Sequence, residues 1–304
     1  MSIFKKTLTG ALCVATALSM AACGSDPLAE DSSESDASSD SIIIGSADFS
    51  ESQLIATIYS HVLQKKGISV KEKLNIGSRE VYMDALKDGS IDLIPEYSGT
   101  LLNYLDSENS ETDPDKIVDA LKTSLPDGTI PLDASTAEDV DVIAVTKEFS
   151  EENNVKKISD LKSFSSDITL GGPSEWKARY IGLKGLESVY GLNFKEFQVL
   201  DAGGPLTLSA LTGGQVQAGD MFSSDPAIED NGLVALEDDK QLFAAAQVLP
   251  IIRESKASDT VQEALNDISE KLTTDDLVSM NRKVNDGDDI GDIADEWISS
   301  KNIA

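Results

Sequence analysis

The chain has 304 residues, with 54 acidic against 25 basic side chains and a formal charge of −29. A body this negative repels phosphate backbones, which argues against a nucleic-acid-binding role. One histidine, His61 in a helical stretch, and two cysteines supply no ligand set for zinc. The acidic clusters Glu237-Asp238-Asp239 and Asp286 to Asp295 lack the Asp-x-Asp-x-Asp-Gly spacing of a calcium loop, so they read as solvated surface and no metal or cofactor is expected.

Lys5 and Lys6 precede an apolar run from Leu8 to Met20 that is too short for a stable membrane anchor, the pattern of a secretory signal over residues 1–22. Ala21-Ala22-Cys23 resembles a bacterial lipobox, in which the chain is cut before Cys23 and the thiol is lipidated. The alternative is a plain secretory signal that leaves Cys23 free. Cys13 falls in the discarded segment, so the mature chain keeps one thiol and no internal disulfide is expected. Residues 23–41 are polar, acidic and aperiodic, too poor in apolar surface to order themselves, and read as a tether. The expected location is the extracytoplasmic face of the cell membrane, held there by the lipid.

From Ser41 the chain alternates. Ile42-Ile43-Ile44 is β-branched, Glu51 to Lys66 carries apolar residues at helical spacing, and Gly67 stops it. A strand over Ser69–Leu74, a helix over Glu80–Lys87 and a strand over Ile91–Ile94 follow, an order that predicts a parallel sheet with right-handed crossovers. Pro95 is expected to end the third strand, and Tyr97-Ser98-Gly99-Thr100 to open a helix. Ligands collect where strand carboxyl ends meet helix N-termini in α/β sheets. Tyr97 is thus a candidate site residue, with an ordinary half-buried helix position, shared with Tyr104, as the alternative. A helix over Asp115–Leu125 completes the first unit.

A second unit begins near Val142. Strands are expected over Val142–Thr146, Ile168–Leu170, Phe194–Leu200 and Val216–Met221, with helices over Glu175–Tyr190 and Leu206–Leu211. Gly171-Gly172-Pro173 and Gly203-Gly204-Pro205 each fall between a strand and a helix, where backbone N–H groups can approach an anion; a tight turn is the alternative for each. A strand over Val248–Arg253 and three helices end the chain. About 260 ordered residues divide better into two α/β lobes than one. The expected first lobe is discontinuous, residues 42–140 plus 248–304, the second is 141–247, and the ligand cleft lies between them.

Ile44-Gly45-Ser46 with Phe49 and Glu51, Ala85 to Gly89 with Ile91-Asp92, Pro95-Glu96-Tyr97-Ser98-Gly99-Thr100, Phe222-Ser223-Ser224-Asp225 and Leu272 to Leu277 with Asn281 resemble the substrate-binding proteins of osmoprotectant importers, the glycine betaine/carnitine/choline-binding family. The resemblance implies a type II periplasmic-binding-protein fold, an ABC permease as partner, a small-molecule solute as ligand, and a monomer. It implies that Tyr97 belongs to an aromatic cage that holds a quaternary ammonium by cation–π attraction, with Thr100 beside it. Phe222 falls where another cage tyrosine stands, and Arg179 on the arginine that clamps the ligand's carboxylate. Three positions depart from the family pattern: Ala47 where lysine is usual, and Asp141 and Ala246 where cage aromatics are usual. Trp176 and Tyr180 are candidates to supply ring surface instead, and Asp141 to meet a cation by charge. The departures leave open a different small amine or amino-acid-like solute.

Two further classes remain. Ser98, Ser223 and Ser224 are potential nucleophiles, but no histidine lies near them in sequence and the Gly-x-Ser-x-Gly elbow is missing, so a binding protein is expected over an enzyme. A tethered sensor that binds solute without transporting it would carry the same sequence features.

Overall fold

The computed structural model describes residues 41–303 apart from Ser110. The signal segment, most of the tether and Cys23 therefore lie outside the described residues. In chain order the first eight elements are β1 (Ile42–Gly45), α1 (Ser50–Lys65), β2 (Val70–Lys73), α2 (Arg79–Asp88), β3 (Leu93–Tyr97), α3 (Ser98–Leu105), α4 (Pro114–Ser124) and β4 (Thr129–Pro131). The next nine are β5 (Asp141–Thr146), α5 (Lys147–Asn153), β6 (Thr169–Gly172), α6 (Gly185–Tyr190), β7 (Glu196–Val199), α7 (Pro205–Thr212), β8 (Ala218–Phe222), α8 (Ala227–Asp230) and β9 (Leu233–Ala235). The chain then returns through β10 (Val248–Arg253) to α9 (Asp259–Lys271), α10 (Thr274–Asn285) and α11 (Ile290–Ser300).

Two five-stranded sheets result, ordered β2-β1-β3-β10-β4 and β7-β6-β8-β5-β9. Period-2 alternation gives each sheet two apolar faces. In the first, Leu93, Val248 and Ile252 pack with α1, α9 and α11, while Ile94, Leu249 and Ile251 pack with α2, α3 and α4. In the second, Ile143, Val145, Leu170 and Ala218 share one core with Trp176 and Tyr190, and Ala144, Ala210, Leu211 and Met221 form the other. Each lobe is thus a sheet between helical layers, the α/β arrangement expected.

Neither sheet is wholly parallel. β10 runs antiparallel to β3 and β4, and β5 antiparallel to β8 and β9. Both of these strands follow connections that cross between the sheets, so they enter from the opposite end to their neighbours.

Pro95 does not end β3 but sits in its middle, directly opposite Pro250 in β10. Facing residues of an antiparallel pair alternate between bonded and non-bonded. The Pro250 carbonyl accepts from the Leu132 N–H, so the backbone of Pro250 faces β4's side and its missing N–H costs no bond to β3. The facing Pro95 likewise turns away from β10, toward β1, which pairs with β3 only at Ile44↔Leu93.

The helix expected over Glu175–Tyr190 is broken. Ser174–Lys177 forms a 3₁₀ turn and Ile181 and Gly182 have non-helical backbone before α6 begins. Gly182 allows the fold-back, since a Cβ there would lie 2.2 Å from the Trp176 carbonyl oxygen.

Candidate functional site

The strand ends that face the gap between the lobes carry the polar residues. Glu96, next to last in β3, has no exposed surface. It accepts from Arg79 Nε at 2.8 Å and Nη2 at 2.9 Å, from the Tyr82 hydroxyl at 2.8 Å and from the Tyr97 N–H at 3.0 Å. A bidentate guanidinium pair with two further donors leaves the carboxylate well satisfied, as a buried charge requires. This anchor fixes Arg79 and Tyr82 of α2 against the end of β3.

Tyr97 then reaches the other way, its hydroxyl donating to Glu51 Oε1 at 2.7 Å. Glu51, in the first turn of α1, also accepts from the Ser224 hydroxyl at 2.6 Å and from Asn281 Nδ2 of α10 at 2.5 Å. Ser224 follows β8, so this buried network ties the two lobes together. Asp139 lies beside it, accepting from the Ser224 N–H at 2.9 Å and the Ser223 hydroxyl at 3.3 Å. Burial pushes the Glu51 and Asp139 carboxyls above the usual range, Asp139 the more because Glu51 is its neighbour.

Against this frame stand three rings. Phe49, which precedes α1, lies 5.9 Å from Tyr97 and 5.1 Å from Phe222, centroid to centroid and tilted in both cases. The register of β5 on β8 sets Asp141 opposite Phe222 and Ile143 opposite Asp220. Asp141, Asp220 and Phe222 therefore share one face of the sheet, the face that carries Trp176. These residues, with Ala47, Thr100 and Arg179, line one cavity with an empty volume of about 540 Å³, open mouth included.

Tyr97, Thr100, Asp141, Trp176, Arg179 and Phe222, the six candidates from the sequence, all border this cavity. The engagements of two of them, Arg179 and Trp176, differ from expectation. Arg179 donates through Nε at 3.0 Å and Nη2 at 2.8 Å to Glu80 of α2, an ion pair across the cleft, with Glu175 at 3.9 Å. Among the described residues its Nη1 has no hydrogen-bond partner. Although partial burial works the other way, the hydrogen bonds from Arg179 and Ser78 hold the Glu80 carboxyl down to about 2. Trp176 is almost fully buried and stacks on Phe243 at 6.2 Å, which fixes its ring rather than leaving it free to close on a ligand.

The Gly-Gly-Pro segments do not form anion sites. Gly171 and Gly172 are the last residues of β6, paired with β7, and a Cβ at Gly171 would meet Leu200 Cδ1 at 2.6 Å. At the second segment the Asp201 carboxylate accepts from the Leu206 N–H at 3.0 Å and the Thr207 N–H at 2.8 Å, so the N-terminus of α7 is already occupied by an anion from its own chain. Ala246 is fully buried in the first core, its carbonyl accepting from the Asp139 N–H, and it does not border the cavity.

Sequence reasoning missed Phe49, Tyr82, Asp139 and Asp220 as site residues. Phe49 stands between β1 and α1, the same strand-to-helix position that marked Tyr97. Asp220 was visible as a lone charge inside the apolar run Val216–Phe222, and Asp139 as the first half of Asp-Val-Asp before β5.

Residues 40–300 match the family model OpuAC, the substrate binding domain of ABC-type glycine betaine transport systems. The Carnitine transport binding protein OpuCC of Listeria monocytogenes is 26% identical over 251 residues, covering 80% of this chain and 81% of its own. The Glycine betaine-binding protein YehZ of Escherichia coli is 24% identical over 277 residues, covering 85% and 90%. Among solved structures, a glycine betaine/carnitine/choline ABC transporter protein superposes with a TM-score of 0.68 at 23% identity, covering 86% of this chain and 99% of its own. The two-lobe architecture is therefore that of periplasmic binding proteins, and the chain belongs to the OpuAC family of ABC-transporter substrate-binding domains.

Proposed function

We propose that this protein captures a small solute with a cationic head in the cleft between its lobes and delivers it to an ABC permease. The carrying observation is the charge balance of the cavity. Five carboxylates (Asp48, Asp139, Asp141, Glu175 and Asp220) and two guanidinium groups line it, and the guanidinium groups are already matched by Glu96 and Glu80. The uncompensated charge favours a cation, and the rings of Phe49, Tyr97 and Phe222 offer the π faces that attract one.

In this reading Tyr97 and Phe222 face the cation, Asp141 attracts it by charge, Trp176 forms the floor, and Thr100 offers a hydroxyl at the rim. A carboxylate on a zwitterionic solute would take the Nη1 edge of Arg179 or displace Glu80 from it. We assign binding, not catalysis, to the cleft. The family and relatives point to osmolytes of the betaine, carnitine or choline type as the first solutes to try. The lipid at Cys23, the acidic tether, the lobe boundaries at residues 141 and 247 and the monomeric state belong to the same proposal. Mass spectrometry of membrane-extracted protein tests the anchor: an acylated N-terminal Cys23 supports it, and cleavage elsewhere with a free thiol refutes it.

A thermal-shift screen of the purified protein against betaine, choline, carnitine, proline betaine, ectoine and amino acids tests the ligand class. A ligand at 100 times its dissociation constant stabilises the folded state by about 2.7 kcal/mol. Shifts confined to solutes with a cationic head support the reading. Shifts only with neutral or anionic solutes contradict it.

A further inference from the structure

Asp220 is not accounted for by the cage and clamp described above. It is 1% exposed and borders the cavity, and among the described residues its carboxyl finds no donor beyond the proton it shares with the Asp141 carboxyl. The other buried carboxylates near it are provided for: Glu96 by Arg79, Tyr82 and a backbone N–H, Glu51 by Tyr97, Ser224 and Asn281, Asp139 by Ser223 and Ser224. A buried carboxylate without donors is costly to keep, and native structures retain such groups where something else fills the gap. Asp141 lies diagonally across the β5–β8 ladder on the same face, so the two carboxyls stand side by side in the cavity wall.

We infer that Asp220 and Asp141 form a hydrogen-bonding seat for a cation that carries N–H groups, so the preferred solute has a primary or secondary ammonium or a guanidinium and not a fully methylated one. Hydrogen-bond donors decide between the two kinds of cation. A trimethylammonium group supplies charge but only C–H bonds, so it cannot replace the proton the two carboxyls share with donors of its own. An ammonium with two or three N–H groups satisfies the carboxyls while its alkyl surface rests on Phe49 and Phe222. A metal ion is a poorer occupant: no group of three or more ligating His, Cys, Asp or Glu side chains that could hold one occurs among the described residues. Burial, then the neighbouring Asp141 carboxyl, pushes the proton affinity of Asp220 well up, the expected behaviour of an ammonium seat with no ammonium in it.

This inference rests on the cation-headed reading, and calorimetry on the full chain separates the two. Two methylation series serve as probes: glycine betaine, dimethylglycine and sarcosine, and choline, dimethylethanolamine and N-methylethanolamine. Within the series that binds, affinity should rise as methyl groups are replaced by hydrogens, with the N-methyl member tighter than the trimethyl member by about 5- to 150-fold, the equivalent of one to three kcal/mol. Asp220→Asn should flatten that ranking while raising the melting temperature of the ligand-free protein by about 2–4 °C per kcal/mol of relieved desolvation, which shows that the variant folds. Equal or tighter binding of the trimethyl member in the wild-type protein overturns the inference and leaves the cation-headed reading intact. A ranking unchanged in Asp220→Asn overturns the assignment to this residue. Absence of binding by every member of both series overturns the cation-headed reading and the inference with it.

Discussion

Glu96 shows what a single side chain in this molecule is asked to do. It is fully enclosed, and its partner Arg79 is nearly so. Glu96→Ala leaves the guanidinium buried without its counter-charge, and such broken pairs lose about 3–5 kcal/mol. Chemical denaturation should register that loss, with the slope unchanged. Tyr97→Phe is a milder test at the neighbouring position. It removes one of three donors to Glu51 and keeps the ring, so stability should fall by about 0.5–2 kcal/mol with solute affinity nearly unchanged. Burial raises the proton affinity of the Asp139, Asp141 and Asp220 carboxyls; guanidinium groups lower it only in part at Asp141 and Asp220, and at Asp139 the neighbouring Glu51 adds to it. A carboxyl whose folded pKa is raised takes up a proton on folding, so its cost to stability is absent below the ordinary carboxylate range and develops as pH rises through the raised value. The melting-temperature gain of Asp220→Asn over wild type should therefore be small near pH 4 and grow toward neutrality. A bound cation should remove the protonation preference, so binding at mildly acidic pH should release protons, readable as a dependence of binding enthalpy on the buffer.

At the scale of elements, α7 separates two uses of a helix N-terminus. Asp201 caps it through the Leu206 and Thr207 N–H groups and through the Thr207 hydroxyl at 2.8 Å. Asp201→Ala should cost about 0.5–2 kcal/mol of stability and leave solute affinity untouched; a matching loss of affinity would return the second Gly-Gly-Pro segment to the ligand site. Most elements were legible because their periodicities are clean: the apolar positions of α1 at Leu54, Ile55, Ile58, Val62 and Leu63 are all buried, and the apolar run of β10 is buried from Val248 to Ile252. Long-range effects account for the failures. Pro95 is tolerated within β3 only because the register sets it against Pro250, which no local rule anticipates. The antiparallel strands β5 and β10 follow from the crossing between lobes and not from their own residues. The break at Gly182 follows from contact with the Trp176 carbonyl, and periodicity alone reads through it. The candidate site was legible at Tyr97, where a strand end meets a helix, and at Phe222 through the family resemblance, and illegible where its chemistry depends on partners distant in sequence. Arg179 is an example, since its pairing with Glu80 joins positions 99 residues apart.

For the molecule as a whole, the lobes are held together by the Glu51–Ser224–Asn281 network and by the Arg179–Glu80 pair. The first is buried; the second is partly exposed and screened, worth about 0–1 kcal/mol. Glu80→Gln should therefore leave the melting temperature close to wild type while it increases the radius of gyration of the ligand-free protein in small-angle scattering, as the lobes spend more time apart. Because the Glu80 carboxyl is held down to about 2, the pair's contribution is complete above the ordinary range near 4.5 and is lost only as pH falls from there toward 2. The cleft between the lobes is the proposed seat of the solute. Calorimetric titration of the tightest cationic solute into the wild-type protein, Asp141→Asn and Phe222→Ala tests this most directly. The aspartate variant should lose about 2–5 kcal/mol of binding free energy, and the phenylalanine variant about 0.5–2 kcal/mol for the cation–π contribution plus lost packing. Wild-type affinity in both variants would mean that the solute binds elsewhere and that the cleft between the lobes is not its site.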